Sequence, residues 1–230
     1  MPVSPFDPSF EQLPSIIPIF PLSGALLLPH LRLPLNIFEP RYLAMISDAL
    51  GAARIVGMIQ PQQSVKAEDD DSGEPVYRTG CAGRIVSFNE TEDQRYQIVL
   101  AGLARFDIAE ELPLLRGYRR VRADWSPYRG DLAPAQELGA TLGSGFDRPH
   151  FLAALKPFLT RYSIAADWNS IDRAPDEFLI NTVAMVGPFA PSEKQALLEA
   201  DGLEARGRIL TSLVEMANLA VTQERPSQRH

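Results

Sequence analysis

Residues 16–42, IIPIFPLSGALLLPHLRLPLNIFEPRY, set apolar, strand-like runs between prolines at 18, 21, 29, 34 and 40. Proline has no N–H to give to a ladder and is excluded from central strand positions, so the runs predict short strands broken at edges, bulges or turns. A segment this apolar and this interrupted suits one wall of a small, strongly bent β-barrel. It ends in Glu39-Pro40-Arg41-Tyr42, a charged helix opening. Pro40 stands where a helix tolerates proline, in its first turn, and Glu39 lies near the positive end of that helix. Tyr42, Met45, Ile46, Ala49 and Leu50 then recur at helical spacing, with Gly51 as a natural stop.

Strand signals continue outward from this stretch. Residues 54–60, RIVGMIQ, predict a buried strand, and residues 61–75 a polar loop with an acidic tip at 68–71. Residues 77–89 predict a long strand in which Gly80 and Gly83 mark bulges or tight bends. A hairpin turn at 90–93 leads into a strand over 94–101, and Gly102 is expected to open another turn into 104–109. Tyr118–Trp125 alternates Val121, Ala123 and Trp125 against Arg120, Arg122 and Asp124, a final strand. Strands at this regular spacing suggest a closed or nearly closed barrel. Residues 1–13 are proline-rich and polar, an expected arm, and 127–134 an expected linker. Beyond it the periodicity is helical. Asp147 is placed to cap a helix over 148–162 that Pro157 should kink. Further helices are expected over 175–186, 191–200 and 203–221, with disorder from Pro226. The helix over 191–200 opens on one of two caps, Glu193 facing Ala190 or a capping box of Ser192 with Gln195.

The stretch 16–42 resembles the opening of the substrate-binding, N-terminal domain of the Lon protease family. A second block, Pro175 to Leu198 (PDEFLINTVAMVGPFAPSEKQALL), is similar to the helical half of that domain as found in stand-alone bacterial proteins. With Gly80-Cys81-Ala82-Gly83-Arg84-Ile85 and Gly102-Leu103-Ala104-Arg105-Phe106, the resemblance covers roughly residues 14 to 222. It implies an α+β fold: a PUA-like β-barrel of about six strands with a helix over 14–125, then an α-helical bundle domain of about four helices over 132–222. The family pattern carries serine where this chain has Ala190, a departure at a helix cap.

Totals narrow the function. The 230 residues carry a formal net charge of −7, with lysine only at 66, 156 and 194. A binder of nucleic-acid backbone normally carries an excess of Lys and Arg, so the balance argues against one. Cys81 is the one cysteine, which excludes an intramolecular disulfide and a cysteine-rich zinc site. No Lys or Arg precedes Arg32, so the basic region of a signal peptide is missing, and residues 16–28 are too short and proline-broken to span a bilayer. A soluble cytoplasmic protein is expected, with no membrane partner.

Candidate chemistry is sparse. No Gly-Lys pair supplies the phosphate loop of a Lon-type ATPase, and no proteolytic domain with a Ser–Lys dyad follows residue 222, so no enzyme activity is expected. Cys81 with His30 or His150 lacks the spacing of a nucleophile and its base, and a buried thiol is the simpler reading. The acidic run at 68–71 lacks the alternating spacing of a calcium loop. No catalytic residue, metal or cofactor is expected. Glu39, Arg41 and Tyr42 form a motif that is either ligand surface or, preferably, a brace with Arg41 in a buried ion pair. Arg116, Arg119, Arg120 and Arg122, interleaved with Tyr118 and Trp125, are the one basic cluster and the basis of an alternative, an RNA-binding PUA-like module.

The preferred function is non-catalytic polypeptide recognition, as implied by the resemblance. Such a protein would hold unfolded or hydrophobic segments and, adaptor-like, pass them to a protease. That work needs a contiguous apolar surface. Phe20, Leu22, Leu26, Leu28 and Leu31 are the candidate peptide-binding residues, because this segment holds more apolar side chains than one barrel wall requires. The competing reading has the helical half cover them.

Overall fold

The computed structural model describes residues 6–62, 74–133 and 146–223. The acidic run at 68–71 and the tail from Pro226 lie outside them. The fold is α+β, and the chain divides into two compact units, residues 1–137 and 138–230.

The first unit is built on six strands: β1 (Ile16–Pro21), β2 (Arg32–Ile37), β3 (Ile55–Ile59), β4 (Thr79–Glu90), β5 (Tyr96–Leu115) and β6 (Tyr118–Asp124). They order as β2-β5-β4-β3-β1-β6, and β6 also pairs with β5. That pairing closes β1, β3, β4, β5 and β6 into a ring and leaves β2 hung on the outside of β5. All neighbours are antiparallel except β1 with β3. The core within holds Ile17, Ile19, Ile55, Ile59, Phe106, Val121 and Trp125, with the Phe106 and Trp125 rings 5.7 Å apart. Helix α1 (Pro40–Leu50) starts with proline in its first turn and buries Tyr42, Met45, Ile46 and Ala49. Gly51 ends it at φ −76°, and the left-handed residue comes later, at Arg54 (φ 59°), whose N–H reaches Ala49 O.

Four expectations are corrected here. Gly102 opens no turn, because β5 runs unbroken through it. A Cβ at 102 would stand 2.1 Å from the Leu28 carbonyl oxygen. The glycine is a place of close approach, where the 28–31 turn lies across the strand. His30 N donates to Gly102 O at 3.0 Å and Gly102 N donates to Leu31 O at 2.8 Å. The expected linker is not one either: Ser126–Leu132 is a 3-10 segment fixed to the barrel by Asp131, which accepts from the Arg105 side chain at both oxygens, 2.8 Å each. The described part of the expected arm is held as well. Asp7 pairs with Arg84 at 2.8 Å, Phe10 and Leu13 pack on the core, and the Trp125 indole N–H donates to Pro14 O at 3.0 Å. The hairpin turn sits slightly later than expected, with Thr91 N bonded to Arg95 O and Gln94 at φ 63°.

The second unit is helical: α2 (Arg148–Arg161), α3 (Trp168–Arg173), α4 (Asp176–Val186), α5 (Pro191–Glu199) and α6 (Gly202–Gln223). Asp147 caps α2 through His150 N, as expected, and α2 continues past Pro157. The short α3 was not foreseen; Asp167 caps it. At α5, Glu193 accepts from Ala190 N at 2.7 Å, but alanine has no oxygen to return the bond, so half of a capping box is present. Buried Arg206 ties three helices together, donating to Leu197 O and Asn181 Oδ1. Lys194 donates to Met185 O near the end of α4, and burial pulls its pKa down.

Two substitutions test these contacts. Asp131→Ala strands a largely buried guanidinium and should cost about 3–5 kcal/mol in urea unfolding. Gly102→Ala forces the 28–31 turn to move and should cost about 1–3 kcal/mol, read from the same midpoint shift. A barrel indifferent to either change would contradict the packing described.

Candidate functional site

The segment expected to carry peptide binding folds inward. Phe20, Leu26 and Leu28 are 6%, 2% and 0% exposed, and Leu22 and Leu31 are half-buried. Leu22 and Leu31 thus keep part of their surface, while Phe20, Leu26 and Leu28 are corrected from surface to core. The barrel itself covers them: the Phe20 ring lies 4.3 Å from that of Tyr42, and Leu27 fills the space beside Gly83. Buried Gln60 pins the loop from below, accepting from Gly24 N at 2.9 Å and donating to Ala25 O. An apolar excess in sequence cannot separate a plug from a patch, because both need the same residue types.

The Glu39-Arg41-Tyr42 motif divides. Tyr42 is buried, and burial raises its pKa. Arg41 pairs with Glu39 at 2.8 Å, but both side chains are about half exposed, so the expectation of a buried pair is corrected. The guanidinium also lies 4.5 Å from the Tyr42 ring centroid. The motif is a surface clip over a buried ring.

Every arginine of the basic cluster meets an acceptor. Arg119 binds Glu111 through two nitrogens, at 2.6 and 2.8 Å, and Arg122 binds Glu110 at 3.0 Å. Arg116 pairs with Asp48 at 2.6 Å, and Arg120 donates to Pro113 O. Tyr118 donates to Asp48 as well; burial first, then that carboxylate, pushes its pKa up to about 12. The signal that could have found these pairs is the hairpin itself. Glu110 on β5 stands opposite Arg122 on β6, and Glu111, opposite Val121, is a diagonal neighbour of Arg119, so opposite charges meet across the ladder.

Exposed apolar surface occurs where β2, β5 and β4 run beyond the ring. Leu35, Ile98 and Phe88 lie in one row across the three strands, and Ile37, Tyr96 and Glu90 in the next row on that face, with Ile98 and Ile37 themselves buried. The Phe88 and Tyr96 rings meet edge-on at 4.9 Å. Phe88 is 37% exposed, and Phe38, just past β2, is 60% exposed with the Arg95 guanidinium 5.7 Å from its ring. Leu33 and Leu35 are half-buried beside them. This ledge of aliphatic and aromatic side chains was missed in sequence because its members come from three separated segments.

Among the described residues, no group of His, Cys, Asp and Glu is placed to hold a metal ion. Cys81 is buried in β4, and His150 pairs with Glu215 at 2.7 Å. No described helix is long and apolar enough to cross a membrane.

The described residues thus form a closed barrel with a hanging edge strand, and a separate helical unit. Residues 16–216 match the family model of the ATP-dependent protease La (LON) substrate-binding domain, and the chain belongs to that family. It is 27% identical over 213 residues to a Lon protease of Syntrophus aciditrophicus and 29% identical over 214 residues to Lon protease 2 of Sorangium cellulosum. Each match covers 90% of this chain and 26% of the relative, so the chain spans about a quarter of their length. Among solved structures, a Lon N-terminal domain protein from Xanthomonas campestris shares the fold at TM-score 0.55 and 20% identity, over 86% of this chain and 96% of that one. The N-terminal domain of a Mycobacterium avium complex Lon protease does so at TM-score 0.57 and 17% identity, over 86% and 97%.

Because the Arg41–Glu39 pair is solvated, Arg41→Ala should cost about 1 kcal/mol or less. A thermal melt compared with Tyr42→Ala, which empties a buried ring site and should cost about 3–5 kcal/mol, separates clip from core.

Proposed function

We propose that this protein recognises unfolded or hydrophobic polypeptide segments without chemistry of its own, and acts as an adaptor that holds them for a protease. The observation that carries the reading is the match of residues 16–216 to a protease substrate-binding domain. The ledge of Leu33, Leu35, Phe38, Phe88 and Tyr96 supports it, since capture of apolar chain requires solvent-facing apolar area that folding has not consumed. Those residues replace Phe20, Leu22, Leu26, Leu28 and Leu31 as the proposed contact surface. Association with a Lon-type protease follows from the same resemblance and is part of the proposal.

The alternative, RNA binding through Arg116–Arg122, loses support from the ion pairs. A phosphate would have to displace Glu110, Glu111 and Asp48 from arginines they already neutralise, on a chain of net charge −7.

Salt separates the two. Burial of apolar area is little screened, so affinity for an unfolded model polypeptide should hold nearly constant between low and physiological salt. Phe38→Ser/Phe88→Ser should weaken it while leaving the melting temperature close to that of the parent. RNA binding that falls steeply with salt and disappears in Arg120→Ala/Arg122→Ala would establish the alternative instead.

A further inference from the structure

Closing the ring pairs its strands with one another, but β2 lies outside it. Among the described residues β2 pairs with β5 alone, in unbroken register from Arg32↔Ala101 to Ile37↔Tyr96. Gly102 N donates to Leu31 O, which turns the Leu31 carbonyl toward β5. Antiparallel ladders alternate, so Leu33, Leu35 and Ile37 turn their backbone groups toward β5. Arg32, Pro34 and Asn36 turn theirs away from it, and no described residue meets them. Pro34 thus sits where its missing N–H takes nothing from the sheet. The outer edge offers the N–H groups of Arg32 and Asn36 and the carbonyls of Arg32, Pro34 and Asn36.

That edge borders the apolar ledge. Leu33 and Leu35 are half-buried on the face that continues through buried Ile98 to Phe88, and β2 is the last described strand on that side. A further strand added to β2 would complete two deficits together. Its backbone would satisfy the outward groups, and every second side chain would extend the Leu33–Leu35 row and shield it from water. An extended apolar segment fits both demands; a folded surface or a helix fits neither, since its backbone groups are already used.

We propose that β2 binds polypeptide by strand addition: an extended, apolar segment pairs with the outer edge of Arg32–Ile37 and lays alternate side chains on the ledge. The inference rests on the polypeptide-binding reading above and specifies how that binding is achieved. It accounts for tolerance of varied sequence, because main-chain bonds are common to all chains. It also gives Pro34 a role, since one absent donor in the middle of an open edge weakens indiscriminate sheet growth.

The test uses the full chain and a capped, fluorescent peptide of alternating valine and threonine, followed by anisotropy. Two further versions are N-methylated, one on every valine amide, the other on every threonine amide. Strand addition uses only one of these sets, so one version should lose about tenfold or more in affinity while the other stays within about twofold. Loss on threonine amides marks antiparallel addition and loss on valine amides parallel addition, both with valines on the ledge. Arg32→Pro/Asn36→Pro removes the outward donors without touching the ladder to β5, and should weaken the unmodified peptide by about tenfold at an unchanged melting temperature. Should that variant not fold, the methylation pair decides alone. Equal effects of the two methylation patterns overturn strand addition and leave polypeptide binding standing. Failure of the unmodified peptide to bind overturns both.

Discussion

The barrel depends on how one strand serves three partners. A strand has two edges, yet β5 pairs with β4, β2 and β6. It does so by length: β2 holds one edge as far as Ala101, and β6 takes that edge from Asp107. Between them lies a gap in which the β5 backbone has no strand partner on that side. A buried, unmet amide costs about 1–3 kcal/mol, so the gap has to be filled. The 28–31 turn fills one end at Gly102. Asp131 fills the other, accepting from the Arg105 backbone N–H at 3.0 Å while it grips the Arg105 side chain. Burial alone would lower the Arg105 pKa; the Asp131 carboxylate outweighs it and raises the pKa instead.

The rest of the first unit follows from that arrangement. The Arg105 guanidinium lies 4.6 Å from the Tyr128 ring, and the Tyr128 hydroxyl donates to Asp107, which also accepts from Thr79. The 3-10 segment is thereby a strap across the seam where β2 gives way to β6. Handing over the edge also frees β2 from the ring, since once β6 has taken β5, no described strand remains to pair with the far side of β2. The open edge and the apolar ledge beside it are consequences of closure.

Legibility in the sequence tracked the range of the forces involved. Helix α1 could be read because its signals are local: proline in the first turn and Tyr42, Met45, Ile46 and Ala49 at helical spacing. Strand β6 could be read because Val121, Ala123 and Trp125 alternate with charge. Gly102 could not, since a glycine that opens a turn and one that admits a crossing chain look alike until the Leu28 carbonyl is known to lie there. Asp131 looked like linker because its partner is 26 residues away. The leucines at 26 and 28 were legible as apolar and illegible as inward. The ledge had no signal in any one segment, as Leu35, Phe88 and Tyr96 meet only through the register of three strands.

Charge placement completes the physical picture. The arginines at 116, 119 and 122 are spent on Asp48, Glu111 and Glu110, so the β5–β6 hairpin is stapled across its strands and carries little field. The acidic total then faces solvent with three of the four arginines of its basic cluster paired to carboxylates, a surface that repels polyanions at long range and is indifferent to uncharged chain. On the face of β2 and β5 opposite the ledge the exposed residues are Arg32, Pro34 and Asn36 of β2 and Gln97 of β5. On the proposed function, selection among macromolecules rests on what is absent from a ligand, its charge, while affinity rests on what nearly every unfolded segment has, apolar side chains and unpaired amides.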